Sequence, residues 1–268
     1  MSRLEGIFEA LRGKRAALIT YLVTGDPDAA ATVPAMHALV EGGADIIELA
    51  MPFSDPEADG PDIQLGHERA LAHGTRMADV FDAVRSFREQ DSRTGVVLMG
   101  YLNPIERIGH EHFAQQASAA GVDGLILVNL PPEEATELRA TLQAHGLDLI
   151  LLVAPTTTDA RAKAILAASS GFVYYVSLKG TTGAGNLDVA EVEARLRALR
   201  AFTTLPLAVG FGIRGFDSAR SVGQFADAVV VGSAVVRAMG EHAEQTEAIP
   251  GALRELVGEL RTALDARA

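Results

Sequence analysis

Residues 45–64 read Asp-Ile-Ile-Glu-Leu-Ala-Met-Pro-Phe-Ser-Asp-Pro-Glu-Ala-Asp-Gly-Pro-Asp-Ile-Gln, a short apolar strand followed by an acidic, proline-rich loop. Because side chains alternate along a strand, Ile46, Glu48 and Ala50 share one face. A carboxylate on a buried strand is unfavourable unless it has a partner or a function. Catalytic groups of parallel barrels lie at the carboxyl ends of strands and in the loops that follow, so this stretch predicts an active site on a barrel.

The rest of the chain repeats the same unit of strand and helix. This alternation favours an α/β fold, a single (β/α)₈ TIM barrel domain over residues 1–268. Extra helices are predicted at the N-terminus, from Ser2 to Arg12, and in the loop after the second strand, from Ile63 to Ala72. The alternative is an open doubly wound sheet, but no Gly-x-Gly-x-x-Gly follows the first strand. The eight predicted strands span residues 16–22, 46–50, 96–101, 124–128, 149–153, 172–177, 205–209 and 228–231.

The composition is that of an ordinary globular protein, with 48% hydrophobic and 22% charged residues. A net charge of −12 argues against a surface that binds nucleic acid or an anionic membrane. The absence of cysteine excludes disulfides and a thiol nucleophile, and the seven histidines lack ligand spacing, so no metal site is predicted. Since no apolar signal region or membrane-length stretch occurs, we expect a cytoplasmic protein.

Three glycine-bearing loops follow the last three predicted strands: Gly180 to Gly185, Gly210 to Gly212, and Gly232 with Ser233. Glycine lets the backbone approach an anion closely, and N–H groups at a helix N-terminus hold phosphate without a basic side chain. Barrels commonly bind phosphate in the loops after strands seven and eight. The set therefore predicts a phosphate site, with Ser233 as the cap of the helix that follows. For any one loop the alternative is a tight turn and nothing more.

Several motifs, taken in order, resemble the family of the tryptophan synthase α subunit. The most specific is the stretch from Pro52 to Gln64, the family's signature after the second strand. The resemblance covers residues 15–237. The other motifs are Tyr21 with Gly25-Asp26-Pro27, Tyr101 with Asn103-Pro104, Leu130-Pro131 with Glu133-Glu134, Gly180 with Thr182-Gly183-Ala184, and Gly210-Phe211-Gly212-Ile213.

The resemblance implies cleavage of indole-3-glycerol phosphate to indole and glyceraldehyde 3-phosphate, a late step of tryptophan biosynthesis, with no metal or organic cofactor in this chain. It also implies a β-subunit partner in an αββα complex, in which pyridoxal phosphate belongs to the β subunit. Glu48 matches the family's acid/base residue and Asp59 its second carboxylate. The other matched positions are Tyr21, Tyr101 and Phe211 at the indole pocket, Tyr174 near the end of strand six, Thr182 as the loop threonine that orients the aspartate, and Gly183, Gly212, Gly232 and Ser233 at the phosphate.

Two carboxyl groups suit this chemistry. Breaking the bond between indole C3 and C3′ requires a proton delivered to C3 and a proton removed from the 3′-hydroxyl, and one carboxyl group can do both if its pKa lies near the working pH. A barrel interior would raise the pKa of Glu48 by desolvation. An ionised Asp59 facing the indole N–H would stabilise the positive charge that develops there. The alternative is that both acids pair with basic residues or cap backbone N–H groups.

The chain departs from the family pattern at loop positions that include Glu57, Asp62 and Asn129, and in the stretch 65–68. These positions lie on the loops that would close the site and meet the β subunit. Three alternatives to a catalytic α subunit stay open: a stand-alone lyase that releases indole, a non-catalytic allosteric partner of the β subunit, and another phosphate-binding barrel such as a sugar-phosphate isomerase or epimerase. His67, near the acidic loop, has no assigned role.

Overall fold

The computed structural model describes residues 2–177, 188–210, 213 and 215–266. Within them, all paired strands are parallel neighbours in one sheet. The strands are β1 (Ala17–Val23), β2 (Ile46–Ala50), β3 (Gly95–Gly100), β4 (Gly124–Leu127), β5 (Asp148–Ile150), β6 (Leu152–Val153), β7 (Val173–Val176), β8 (Leu207–Gly210) and β9 (Ala228–Val231).

The sheet curls into a barrel that closes at the predicted fifth strand. Its order is β5-β4-β3-β2-β1-β9-β8-β7-β6, so its two ends are successive pieces of one segment, 148–153. The first piece pairs with β4 and the second with β7. The interruption at Leu151 is why nine strands are observed where eight were expected. The predicted α/β barrel fold is confirmed.

Helices connect the strands and surround the barrel. The two extra helices are confirmed: α1 precedes the first strand, and α3 lies within the connection that follows β2. The helix predicted after β3 is divided in two at Gly109, whose positive φ of 91° breaks the helical backbone. The described α-helices are α1 (Arg3–Leu11), α2 (Ala29–Glu41), α3 (Pro61–Ala72), α4 (Met77–Arg88), α5 (Leu102–Ile108), α6 (His110–Ala120), α7 (Thr136–Ala144), α8 (Asp159–Ala168), α9 (Val189–Leu199), α10 (Phe216–Gly223), α11 (Ser233–Glu241) and α12 (Ile249–Asp265).

Alternating side chains divide the core into two layers. In β2, Ile46 and Ala50 belong to the layer inside the barrel, whereas Ile47 and Leu49 belong to the layer between strands and helices. This is the alternation that the sequence predicts. Helix α1 covers one end of the barrel, because its Leu4 and Phe8 join the inner layer, and the ring centroid of Phe8 lies 5.7 Å from that of Phe172. The carboxyl ends of the strands, with the acidic loop, lie at the other end. None of the described helices is both long enough and apolar enough to cross a membrane.

Candidate active site

Glu48 lies in the middle of β2, on its inward face. In the strand register it sits between Tyr21 of β1 and Val97 of β3. The side chain is fully buried, and neither carboxylate oxygen has a hydrogen-bond partner among the described residues. Burial, together with the smaller effect of the nearby charge of Asp59, raises the pKa of Glu48 to about 8. Glu48 is therefore protonated through most of the neutral range, as a proton donor must be.

Asp59 lies in the loop between β2 and α3 and is also buried, with 3% of its surface exposed. The Tyr101 hydroxyl donates a hydrogen bond of 2.9 Å to Asp59 Oδ2 and accepts one of 3.0 Å from the Ala58 N–H. The Gln64 side-chain amide donates to the Asp59 carbonyl at 2.8 Å. Burial raises the pKa of Asp59 to about 6, while the hydrogen bond from Tyr101 acts in the opposite direction. The two acids therefore have different protonation states near pH 7, with Glu48 neutral and Asp59 ionised.

Both acids face one cavity of about 30 Å³. Six of the site residues predicted from the sequence line this cavity. Tyr101 does not line it but donates a hydrogen bond to Asp59, which does. Four others, Thr182, Gly183, Phe211 and Gly212, lie outside the described residues. The cavity is lined by Tyr21, Glu48, Asp59, Tyr174, Gly232 and Ser233, together with Ile63, Met99, Ile213 and Val230.

The N-terminus of α11 faces the same cavity. Gly232 is its N-cap and Ser233 its first helical residue, and no described side chain caps the helix. The expectation that Ser233 would cap α11 is therefore wrong, because the helix begins at Ser233 itself. The lack of a side-chain cap favours anion binding, since backbone N–H groups in the first turn of a helix have no intrahelical acceptor and attract negative charge.

His67 is a site residue to which the sequence gave no role. It lies on α3 with 2% of its surface exposed, and its Nε2 atom is 3.3 Å from the Tyr21 hydroxyl and 3.7 Å from Asp59 Oδ2. The residue spacing in α3 could have identified His67 as inward-facing, because Ile63, His67 and Ala70 recur at helical spacing on the buried face of this helix. Within the described residues, no group of three acidic or histidine side chains is placed to hold a metal ion.

Gly210, at the end of β8, lies directly against the ring of Tyr174. A Cβ atom at this position would overlap the Tyr174 hydroxyl and ring. Tyr174 is buried in the cavity wall, so its ring has little room to retreat. We therefore expect Gly210→Ala to push the Tyr174 ring into the cavity and to lower kcat/KM for indole-3-glycerol phosphate, the substrate that the resemblance implies, by at least about tenfold. Steady-state kinetics measure this.

The matched control for that substitution is Gly258→Ala. Gly258 lies in α12, and a Cβ atom there meets nothing within 4 Å. Alanine is the better helix former, so this variant should keep its activity and unfold at an equal or slightly higher temperature. Equal kinetics for Gly210→Ala and Gly258→Ala would contradict the expected displacement of the Tyr174 ring by a side chain at position 210.

Comparisons with known proteins match nearly the whole chain to one family. The family model described as tryptophan synthase alpha chain matches residues 8–265. The tryptophan synthase alpha chain of Thioalkalivibrio sulfidiphilus is 57% identical over 99% of this chain and 100% of its own length, and that of Alkalilimnicola ehrlichii is 56% identical over 99% and 97%.

Solved structures give the same result for the fold. A crystal structure of tryptophan synthase subunit alpha from Legionella pneumophila superposes with a TM-score of 0.92, at 43% identity and 100% coverage of both chains. A structure of Mycobacterium tuberculosis tryptophan synthase superposes with a TM-score of 0.90, at 42% identity and 99% coverage of both chains. On the evidence of its sequence, its barrel and these relatives, the chain belongs to the tryptophan synthase alpha chain family.

Proposed function

We propose that this chain cleaves indole-3-glycerol phosphate to indole and glyceraldehyde 3-phosphate by a retro-aldol reaction, as a carbon–carbon lyase. The observation that carries the proposal is the cavity itself. A buried carboxyl group without a hydrogen-bond partner among the described residues, a second carboxyl group held by Tyr101, and the N-terminus of α11 all face the same space. In this proposal the first feature would move the proton, the second would bind the indole end of the substrate, and the third would bind its phosphate end.

Glu48 would act first as an acid and then as a base. The protonated carboxyl group gives its proton to indole C3, which turns the ring into an iminium cation. The resulting carboxylate removes the proton of the 3′-hydroxyl, the C3–C3′ bond breaks, and its electron pair returns to the ring. The products are indole, which keeps the new proton on C3, and an aldehyde, and Glu48 is protonated again. The raised pKa of Glu48 supports this order of steps.

Asp59 would stabilise the cation that exists between these two steps. Its pKa of about 6 leaves it ionised at neutral pH, so it can accept a hydrogen bond from the indole N–H and balance the positive charge on the ring. Tyr101 fixes the carboxylate from the other side. Tyr21, Tyr101 and Phe211 would line the indole pocket, and Tyr174 would stand beside them in the cavity wall.

The phosphate group would bind at the first turn of α11, at Gly232 and Ser233. Gly183 and Gly212 remain the predicted contributors from the two other glycine loops, and Thr182 the residue that orients Asp59. We also propose that the chain acts with a tryptophan synthase β subunit in an αββα complex. Pyridoxal phosphate would belong to that partner, and this chain would use no cofactor of its own.

The test is to incubate the purified chain with indole-3-glycerol phosphate, with and without a tryptophan synthase β subunit, and to measure indole and glyceraldehyde 3-phosphate. We expect equal amounts of both products, and we expect the β subunit to increase the rate of cleavage strongly. High activity without stimulation would favour the stand-alone lyase. An α–β pair that makes tryptophan from added indole, without cleaving indole-3-glycerol phosphate, would favour the non-catalytic partner and overturn the proposal.

A further inference from the structure

His67 contacts both the acidic loop and Tyr21, one of the residues that line the cavity. Its Nδ1 atom accepts a hydrogen bond of 3.3 Å from the backbone N–H of Phe53, at the beginning of the loop. Its Nε2 atom lies 3.3 Å from the Tyr21 hydroxyl and 3.7 Å from Asp59 Oδ2, near the end of the loop. A single imidazole ring therefore bridges the two ends of the segment that carries Asp59.

The contact with Phe53 determines which nitrogen of the ring carries the proton. A backbone N–H is a donor only, so Nδ1 must be unprotonated to accept from it. In the neutral ring the proton is then on Nε2, which donates to the Tyr21 hydroxyl and points toward Asp59. Burial lowers the pKa of His67 to about 4, in agreement with a neutral ring. The approach of His67 to Asp59 is thus a dipolar contact and not an ion pair at neutral pH.

A second route also connects His67 to Asp59. The ring of Phe53, whose N–H is bound by His67, stacks on the ring of Tyr101 with centroids 4.9 Å apart and an interplanar angle of 26°. The Tyr101 hydroxyl in turn donates to Asp59. The loop between β2 and α3 contains turns but no strand or helix before α3. These side-chain contacts therefore position the carboxylate together with local backbone bonds such as that from the Asp59 N–H to the Pro56 carbonyl, 3.0 Å.

We propose that His67 is a positioning residue for the cleavage reaction: its Nε2–H holds Tyr21 and Asp59 in the orientation that the indole ring requires, and the contact of Nδ1 with Phe53 keeps the imidazole proton on Nε2. The inference rests on the proposed function, because it concerns the same reaction. The family resemblance does not supply it, since His67 lies in the stretch 65–68, where the chain departs from the family pattern.

Two substitutions separate the roles of the two ring nitrogens. In His67→Gln the side-chain amide nitrogen reaches the position of Nε2, so the donor toward Tyr21 and Asp59 is kept and the acceptor for Phe53 is lost. In His67→Asn the side-chain oxygen takes the position of Nδ1, so the anchor to Phe53 is kept and the donor is lost. Both side chains are neutral and polar, so neither introduces a buried charge. The exposed His73, one residue after α3, provides the matched control as His73→Asn.

The expected result is a split between the two variants in kcat, at comparable KM and comparable unfolding temperature. His67→Asn should lower kcat for indole-3-glycerol phosphate by about tenfold to a hundredfold, because a small displacement of a catalytic carboxylate has effects of that size. His67→Gln should keep kcat within about threefold of the wild-type value, since the donor is preserved. His73→Asn should match the wild type in both parameters.

Wild-type kcat in the His67→Asn variant would overturn the inference, and so would equal losses in both variants that follow a fall in unfolding temperature. These outcomes are distinct from failure of the proposed function. If the wild-type chain itself releases no indole, alone or with a β subunit, the proposed cleavage reaction is wrong. If the wild type is active and His67→Asn is equally active, the reaction stands and the role of His67 is wrong.

Discussion

Glu48→Gln is expected to lower kcat for the cleavage of indole-3-glycerol phosphate by about three orders of magnitude or more, because glutamine can neither give a proton to C3 nor remove one from the 3′-hydroxyl. The amide has the size of the protonated carboxyl group, so the barrel should keep its structure. Indole release by the purified variant, with and without the β subunit, measures the loss. Substrate binding should change little, because the phosphate end of the site is untouched.

The same substitution should stabilise the protein at alkaline pH. The pKa of Glu48 rises from an ordinary value of 4.5 to about 8 on folding. Between these values the folded state holds a proton that the unfolded state has lost, so the free energy of unfolding falls as pH rises through this window. Above pH 8 the folded wild type contains a buried charge that glutamine avoids. The difference should reach the order of a few kcal/mol at pH 9 and nearly vanish at pH 4.

Thermal unfolding of wild type and variant across this pH range tests the second effect. Glu255→Gln is the control, because Glu255 is exposed on α12 and does not line the cavity. Its unfolding temperature should follow that of the wild type at every pH, and its activity should be unchanged. A Glu48→Gln variant with turnover within tenfold of the wild type, or with a constant stability difference across the pH range, would contradict the assignment.

Much of this fold was predictable because its signals are local. The apolar strand around Glu48 has the predicted bounds, and its alternation is the observed one. Helix α3 begins at Pro61, a residue that favours the first position of a helix. Glu48 and the acidic loop were predicted to share one site because parallel strands bring their carboxyl ends, and the loops that follow them, to one end of a barrel. The family resemblance then selected Asp59 among the acids of that loop.

The features that were missed depend on contacts between distant parts of the chain. The division of the fifth strand at Leu151 reflects how the segment pairs with β4 on one side and β7 on the other, which periodicity does not show. Ser233 was predicted to be the N-cap of α11 from its position after Gly232, but the helix begins at Ser233, so Gly232 is the N-cap. His67 acquires its role only when α3 folds back over the loop and brings the ring to Tyr21 and Asp59.

Asp59→Asn is expected to lower kcat/KM near pH 7 by about a hundredfold, because a neutral amide cannot balance the positive charge on the indole ring. The side-chain oxygen of asparagine can still accept the hydrogen bond from Tyr101, so the loop should keep its position. The loss should therefore fall on the chemical step more than on substrate binding. Steady-state kinetics of the variant with indole-3-glycerol phosphate measure it.

The pH profile should change in a way that identifies the two acids. The active form of the wild type has Asp59 ionised and Glu48 protonated, so kcat/KM should rise as pH passes about 6 and decline as it passes about 8. These apparent values belong to the interacting pair. In Asp59→Asn the acid limb should disappear. The alkaline limb should move to lower pH, because the charge of Asp59 no longer raises the pKa of Glu48.

Asp62→Asn provides the control from the same segment. Asp62 forms an ion pair of 2.7 Å with Arg237, whose side chain is 58% exposed, and such solvent-exposed pairs contribute little to stability. Its kinetics and pH profile should match the wild type. If Asp59→Asn keeps the alkaline limb at its wild-type position, the two carboxyl groups do not interact across the cavity. Desolvation, the larger cause of the raised pKa of Glu48, would then be its only cause, because the charge of Asp59 would contribute nothing.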